Sequence, residues 1–263
     1  MPETLRLAVR ELEGPEGPPP LVVLHGLFGS HRNWQALGKA LARRRRVYLL
    51  DLRNHGHSPW SDVMDYPAMA ADVVAMAGEA GLERVALLGH SMGGKVAMTL
   101  ALDRPALVER LVVADIAPVA YDHDFDRELD AMRGLDLDAI DRRATADAAL
   151  AEALPDRGAR QFLLGNLDFV DGGKAHWRAN LEVLASSMQN LTGWVDGEGE
   201  RRFEGPVLAV RGEQSPYVDE TGIEALRRRF PAVELVTIPA AGHWLHAEAP
   251  GPFLDAVSRF LND

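Results

Sequence analysis

One serine of this chain stands in a setting that can make its hydroxyl react. Ser91 lies in Gly89-His90-Ser91-Met92-Gly93, between a short apolar run from Val85 to Leu88 and a segment whose apolar residues recur at helical spacing. A G-x-S-x-G stretch between a strand and a helix is the pattern of a nucleophile elbow, a turn sharp enough to lift the serine above the sheet. The glycines serve sterics, because a side chain at Gly89 or Gly93 would press on the neighbouring strand or helix. The helix N-terminus beneath the hydroxyl favours negative charge there. Residues Gly89 to Lys95 also fit G-x-x-x-x-G-K, but Val96 stands where a phosphate loop needs Ser or Thr for magnesium.

Two further stretches carry polar groups at the ends of apolar runs. His25-Gly26-Leu27-Phe28-Gly29-Ser30 follows the buried run Leu21 to Leu24, and the backbone N–H of Leu27 or Phe28, together with that of Met92, can converge on a developing alkoxide. Asp51 to Ser58 holds His55 and His57 only two apart in a polar turn, with no carboxylate-and-histidine set at helical spacing, so no metal is expected. The chain has no cysteine, which removes disulfides, thiolate metal sites and a cysteine nucleophile.

The elements that must position these residues read as an alternation. Apolar runs near residues 21–24, 47–50, 85–88, 111–114, 207–211 and 233–238 predict strands, with helices between most of them and an edge strand within 4–12. Alternating strands and helices imply a mostly parallel, doubly wound α/β sheet covered on both faces, with ligands beyond the strand C-termini. His25, Asp51, Ser91, Asp115, Arg211 and His243 all fall at such ends. From about residue 119 to 203 the pattern becomes charged, alanine-rich and helical without a clear strand, which predicts a helical lid inserted between two strands of a core formed by 1–118 and 204–263.

Bulk properties narrow the functional classes. With 263 residues and 47% hydrophobic composition the chain can bury one substantial core, and a net charge of -11 disfavours nucleic acid as a partner. There is neither a run long enough to span a membrane nor a signal-peptide pattern at the start, so the expectation is a cytoplasmic protein with no membrane partner. Of the 28 basic residues 25 are arginine, and those at 43–46, 84, 110, 201–202 and 227–229 come just before predicted strands, at the sheet edge opposite the catalytic one. Asp51, Asp115, Asp122, Asp124, Asp126 and Glu128 lie at the catalytic edge or the start of the insertion, partly offset by Arg53, Arg127 and Arg211, with Lys95 as a cation near the pocket. A neutral to negative site potential follows, favouring uncharged acyl esters over polyanionic thioesters such as acyl-coenzyme A.

Four stretches together, His25 to Ser30, Asp51 to Ser58, Gly89 to Lys95 and Gly242-His243-Trp244, resemble the oxyanion loop, the loop after the third strand, the elbow and the histidine loop of the α/β-hydrolases, over nearly the whole chain. The Arg53-Asn54-His55-Gly56-His57-Ser58 run, the Lys95 elbow and Asp115-Ile116-Ala117-Pro118 more narrowly resemble YbfF-type esterases and the abhydrolase-domain-11 group. The resemblance implies Ser91 as nucleophile and His243 as general base, an oxyanion hole from Leu27, Phe28 and Met92, and pocket positions at His25 and Trp244. Many members carry the acid in a Gly-x-x-Asp pattern after the insertion, where this chain reads Gly212-Glu213-Gln214-Ser215. Asp115 is therefore expected as the acid, with Glu213 and Glu182 as alternatives. The implied reaction is hydrolysis of small to medium carboxylic esters through an acyl-serine, without cofactor, on a small-molecule ester. Thioester hydrolysis, a menaquinone-pathway type of lyase chemistry with the same Ser/His pair, and non-catalytic ligand binding are the other readings. Oligomeric state is not legible.

Overall fold

Runs of Val and Leu too short for helices become the strands of one sheet. The computed structural model describes residues 3–122, 125–170, 173–194 and 201–262. Its strands are β1 (Val9–Leu12), β2 (Leu21–Leu24), β3 (Val47–Leu50), β4 (Val85–His90), β5 (Val108–Ala114), β6 (Leu167–Phe169), β7 (Ala175–Trp177), β8 (Val207–Gly212) and β9 (Val233–Ile238). Seven of them form a sheet in the order β1-β3-β2-β4-β5-β8-β9. β1 runs antiparallel to β3 at the edge, and every other pairing is parallel.

The helices are α1 (Gln35–Leu41), α2 (Tyr66–Glu79), α3 (Met92–Asp103), α4 (Asp126–Arg133), α5 (Arg143–Leu150), α6 (Arg157–Leu164), α7 (Leu181–Ser186), α8 (Met188–Thr192), α9 (Glu220–Arg229), α10 (Leu245–Glu248) and α11 (Pro250–Asn262). Local chemistry sets their starts. Asp65 accepts the Ala68 N–H at 2.8 Å ahead of α2, with Pro67 in the first turn, and Asp219 accepts the Gly222 N–H at 2.8 Å ahead of α9. Arg227, Arg228 and Arg229 close α9, where cations complement the helix dipole.

The sheet is buried on both sides, which is why its central strands read as unbroken apolar runs. Val22 and Leu24 of β2 face the layer that holds α2 and α3, while Leu21 and Val23 face the layer of α1 and α11. Burying one such side chain stabilises the fold by roughly 1.5–3 kcal/mol.

Residues 119–203 leave the sheet after β5 and return at β8, its immediate neighbour. They hold α4 to α8 and, contrary to the strand-free expectation, a small antiparallel hairpin in which Leu167 of β6 pairs with Trp177 of β7. Three residues per strand are too few for alternation to show in the sequence. Side chains tie this insertion to the core. Asn166 Nδ2 donates to Phe28 O at 2.6 Å, Asn180 Nδ2 to Asn54 Oδ1 at 3.0 Å, and Lys95 Nζ to Thr192 O at 2.9 Å and Gly193 O at 2.6 Å. Among the described residues no helix is long and apolar enough to cross a membrane.

Candidate active site

β4 passes into α3 through Ser91, whose backbone sits at φ 52°, ψ -121°, a region that an L-residue occupies only when its surroundings force it. The forcing is visible. A Cβ on Gly89 would overlap the carbonyl of Gly93, and one on Gly93 would overlap the carbonyl of Leu24, so neither position admits a side chain. Ser91 N–H is held by Ala114 O at 3.0 Å, which locks the elbow to β5.

Asp115, the residue after β5, is fully buried and also takes a positive φ of 53°. Its Oδ1 accepts the Gly212 N–H at 2.9 Å, and its Oδ2 accepts both the Ser215 hydroxyl and His243 Nδ1–H, the latter at 2.7 Å. The imidazole therefore carries its proton on Nδ1 and keeps a lone pair on Nε2. Glu213 and Glu182 are engaged elsewhere, on Ala240 N–H at 2.9 Å and on Arg133 at 2.8 and 2.6 Å. The structure thus brings Asp115, and neither alternative, to His243. Ser215, at the position of the missing aspartate, contributes a hydrogen bond to the carboxylate.

The His243 loop is fixed from three sides. Tyr217 stacks on the imidazole with ring centroids 3.9 Å apart, His90 Nε2–H donates to the His243 carbonyl at 2.8 Å, and Glu248 accepts the N–H groups of Gly242 at 2.5 Å and Trp244 at 3.3 Å. Burial, followed by the nearby His246 and His243, drives the His90 pKa well down, so His90 stays neutral and can hold this bond. Burial and the Asp115 carboxylate push the Tyr217 hydroxyl up to about 12, so its ring stays uncharged against the histidine. None of Tyr217, Ser215 or Glu248 belongs to a local motif; Ser215 alone had a signal, its place in Gly-x-x-Asp.

Ser91 and His243 open on a cavity of about 200 Å³. Leu27, Phe28 and Trp244 form its core-side wall, and Phe125, Phe162 and Leu163 of the insertion form the other, with Glu128 as a carboxylate among them. Trp244 is 36% exposed at this wall, 5.7 Å from the Phe162 ring. A second cavity of about 30 Å³ meets Ser91 and Met92 on the other side and is walled by Lys95, Tyr66 and Tyr121. Burial lowers the Lys95 pKa to about 7, and its ammonium lies 4.7 Å from the Tyr121 ring and 5.6 Å from that of Tyr66.

The expected pocket and oxyanion positions divide. Leu27 lines both cavities beside Ser91, and Met92, the next residue, lines the smaller one. Phe28 N–H instead donates to His55 Nε2 at 3.2 Å, which turns it away from any developing charge at Ser91. His25 lines the cavity, but Nδ1–H donates to Gly26 O at 2.8 Å and Nε2 accepts the Leu52 N–H at 3.0 Å, so both nitrogens are consumed by backbone. No group of His, Asp and Glu suited to a metal ion occurs among the described residues. Asp51 instead accepts from the ring and backbone N–H of His31 and from the backbone N–H of His57: burial opposes its charge, yet hydrogen bonds led by the His31 side chain hold its carboxyl well below the usual range.

A serine at a strand-to-helix elbow and a histidine on a buried aspartate, at the C-terminal ends of one parallel sheet, invite comparison with known proteins. The family model described as alpha/beta hydrolase fold matches residues 19–155 and 168–250. The chain belongs to the α/β-hydrolase family. This α/β-hydrolase is 41% identical over 265 residues to the sn-1-specific diacylglycerol lipase ABHD11 of Mus musculus, covering 98% of this chain and 85% of that protein. It is 38% identical over 245 residues to esterase YbfF of Escherichia coli, covering 93% of each. A solved marine microorganism esterase superposes with a TM-score of 0.93 at 35% identity, over 98% of this chain and 100% of that one. These relatives are named esterases and a lipase, and this α/β-hydrolase is a hydrolase of that type.

Proposed function

We propose that the protein is a serine carboxylic ester hydrolase that works through an acyl-serine on small to medium, uncharged acyl esters. The observation that carries this reading is the 2.7 Å bond from His243 Nδ1–H to buried Asp115, which leaves Nε2 as the base on the cavity that Ser91 faces. His243 Nε2 takes the Ser91 proton as Oγ attacks the ester carbonyl, and Asp115 stabilises the imidazolium that forms. The tetrahedral oxyanion is met by the N–H groups of Leu27 and Met92, reinforced by the N-terminus of α3. His243 returns the proton to the leaving alcohol, then activates a water to release the acid and free Ser91. Residues 119–203 serve as a lid over a core of 1–118 and 204–263, since Phe125, Phe162 and Leu163 contribute to the cavity wall.

The test is a series of p-nitrophenyl esters of increasing acyl length, with mass spectrometry of the quenched enzyme. Turnover falling with chain length and a single acyl adduct on Ser91, absent in Ser91→Ala, are expected. Full turnover by Ser91→Ala, or elimination of a substrate without any adduct, overturns the reading in favour of base catalysis by the same histidine.

A further inference from the structure

We propose that His25, His55 and Asn166 are positioning residues of the oxyanion loop, and that the insertion, through Asn166, is a working part of that loop as well as a cover over it. This rests on the reading of Ser91 as nucleophile and of the Leu27 N–H as an oxyanion donor. A trans peptide holds its C=O and N–H antiparallel in one plane, so whatever fixes the carbonyl also aims the N–H. Three successive planes of this loop are fixed in that way. Gly26 O accepts from His25 Nδ1–H at 2.8 Å and from Gly29 N–H at 2.9 Å, which directs the Leu27 N–H to the opposite side. The next plane is held by its N–H, from Phe28 to His55 Nε2 at 3.2 Å. The third is held by its carbonyl, Phe28 O, which accepts from Asn166 Nδ2 at 2.6 Å.

Phe28 needs such holding, because its φ of 58° is one that a bulky side chain avoids unless its surroundings impose it. The braces are anchored in turn. His25 Nε2 accepts from Leu52 N–H at 3.0 Å, His55 Nδ1–H donates to Arg53 O at 3.0 Å, and Asn166, only 3% exposed, also donates to Leu163 O at 3.2 Å. Each imidazole must offer one donor and one acceptor, which requires the neutral ring. Burial supplies that condition by lowering the pKa of His25 and taking that of His55 to about 3. Packing alone would be met by apolar side chains at these three sites; here each one directs a polar group at the backbone of one short loop.

Asn166→Ala, His55→Leu and the conservative His55→Gln, which keeps an acceptor for Phe28 N–H, are to be compared with wild type. The readouts are kcat and KM on a neutral ester, and Ki for a trifluoromethyl ketone of the same acyl chain, whose adduct with Ser91 carries the oxyanion. Asn166→Ala and His55→Leu are expected to lose kcat on the order of 10²-fold with KM little changed, because a slack loop misplaces a donor that matters only in the transition state. The ketone Ki should rise by the same factor, and His55→Gln should recover most of both losses. Losses of kcat that leave the ketone Ki unmoved, or wild-type kcat in both variants, overturn the proposal. Should Asn166→Ala fail to fold, Asn166→Ser, with a shorter polar side chain, takes its place under the same criteria. Ser91→Ala is the control for the underlying reading: if it retains turnover, the site assignment has failed, whereas an inactive Ser91→Ala beside unimpaired brace variants refutes the braces alone.

Discussion

At Asp115 one buried carboxylate answers three donors, and its Oδ2 is shared between Ser215 and His243. Charge there holds the imidazole in the tautomer with Nδ1 protonated, so Asp115→Asn is expected to cut kcat by roughly 10³-fold or more with little effect on KM. Glu213→Gln, a change at a carboxylate spent on Ala240 N–H, is expected to leave kcat unchanged. Steady-state kinetics on one ester checks both, and the opposite ranking would move the acid to the loop after β8. Ser91 and His243 were legible because each lies in a short local pattern. Asp115 was expected as the acid ahead of Glu213 and Glu182 from its place at a strand end and from the resemblance, while its pairing, across 128 residues, leaves no local pattern. His55 and Asn166 were not legible at all in their bracing role: Phe28 and Asn166 meet across 138 residues, and nothing in a local window records that pairing.

Among the elements, strands and helices of the core followed from their apolar periods, and the β6–β7 hairpin did not, being shorter than any period it could display. α8 shows a different effect, a short helix whose last carbonyls are met by a cation from another element. Lys95 of α3 donates to Thr192 O and Gly193 O, and Tyr66 of α2 to Leu191 O. The lysine is 1% exposed and its pKa falls from 10.5 to about 7 because burial penalises the charge. Below about pH 7 it is protonated folded and unfolded alike, and the burial cost is borne in full. Between about pH 7 and 10.5 the unfolded chain binds the proton and the folded one does not, so stability from this group rises with pH, by up to about 1.4 kcal/mol per unit. Lys95→Met is expected to flatten that rise. Urea unfolding from pH 7 to pH 9 measures it, and parallel slopes for variant and wild type would refute the assignment whatever their offset.

For the whole molecule, the arginines at both sheet edges are largely taken up by partners. Near the N-terminal ends of the strands Arg84 pairs with Glu109, Arg46 with Glu11, and Arg110 lies 5.5 Å over the Phe260 ring. At the other edge Arg53 is buried against Asp72 at 2.7 Å, and Arg211 is spent on Val218 O at 3.0 Å and Thr237 Oγ1 at 3.0 Å. Arg178 pairs with Asp168 at 3.5 Å and donates to Gly165 O at 3.0 Å, and Arg143 donates to the carbonyls of Leu164 and Leu167. Glu128 remains in the cavity wall, while Asp124 lies outside the described residues. Neutral acyl esters are accordingly expected to exceed coenzyme A thioesters of the same acyl chain in kcat/KM, with little salt dependence. A coenzyme A preference that weakens as salt is added would contradict this. The sheet order has a consequence for how such a molecule can be altered. Because β5 and β8 are neighbours, the 119–203 segment departs and returns at adjacent points, so it can be exchanged for another without rethreading a strand. Such a graft would keep Ser91, His243 and Asp115, yet it would work only if the incoming segment brought its own donor to Phe28 O.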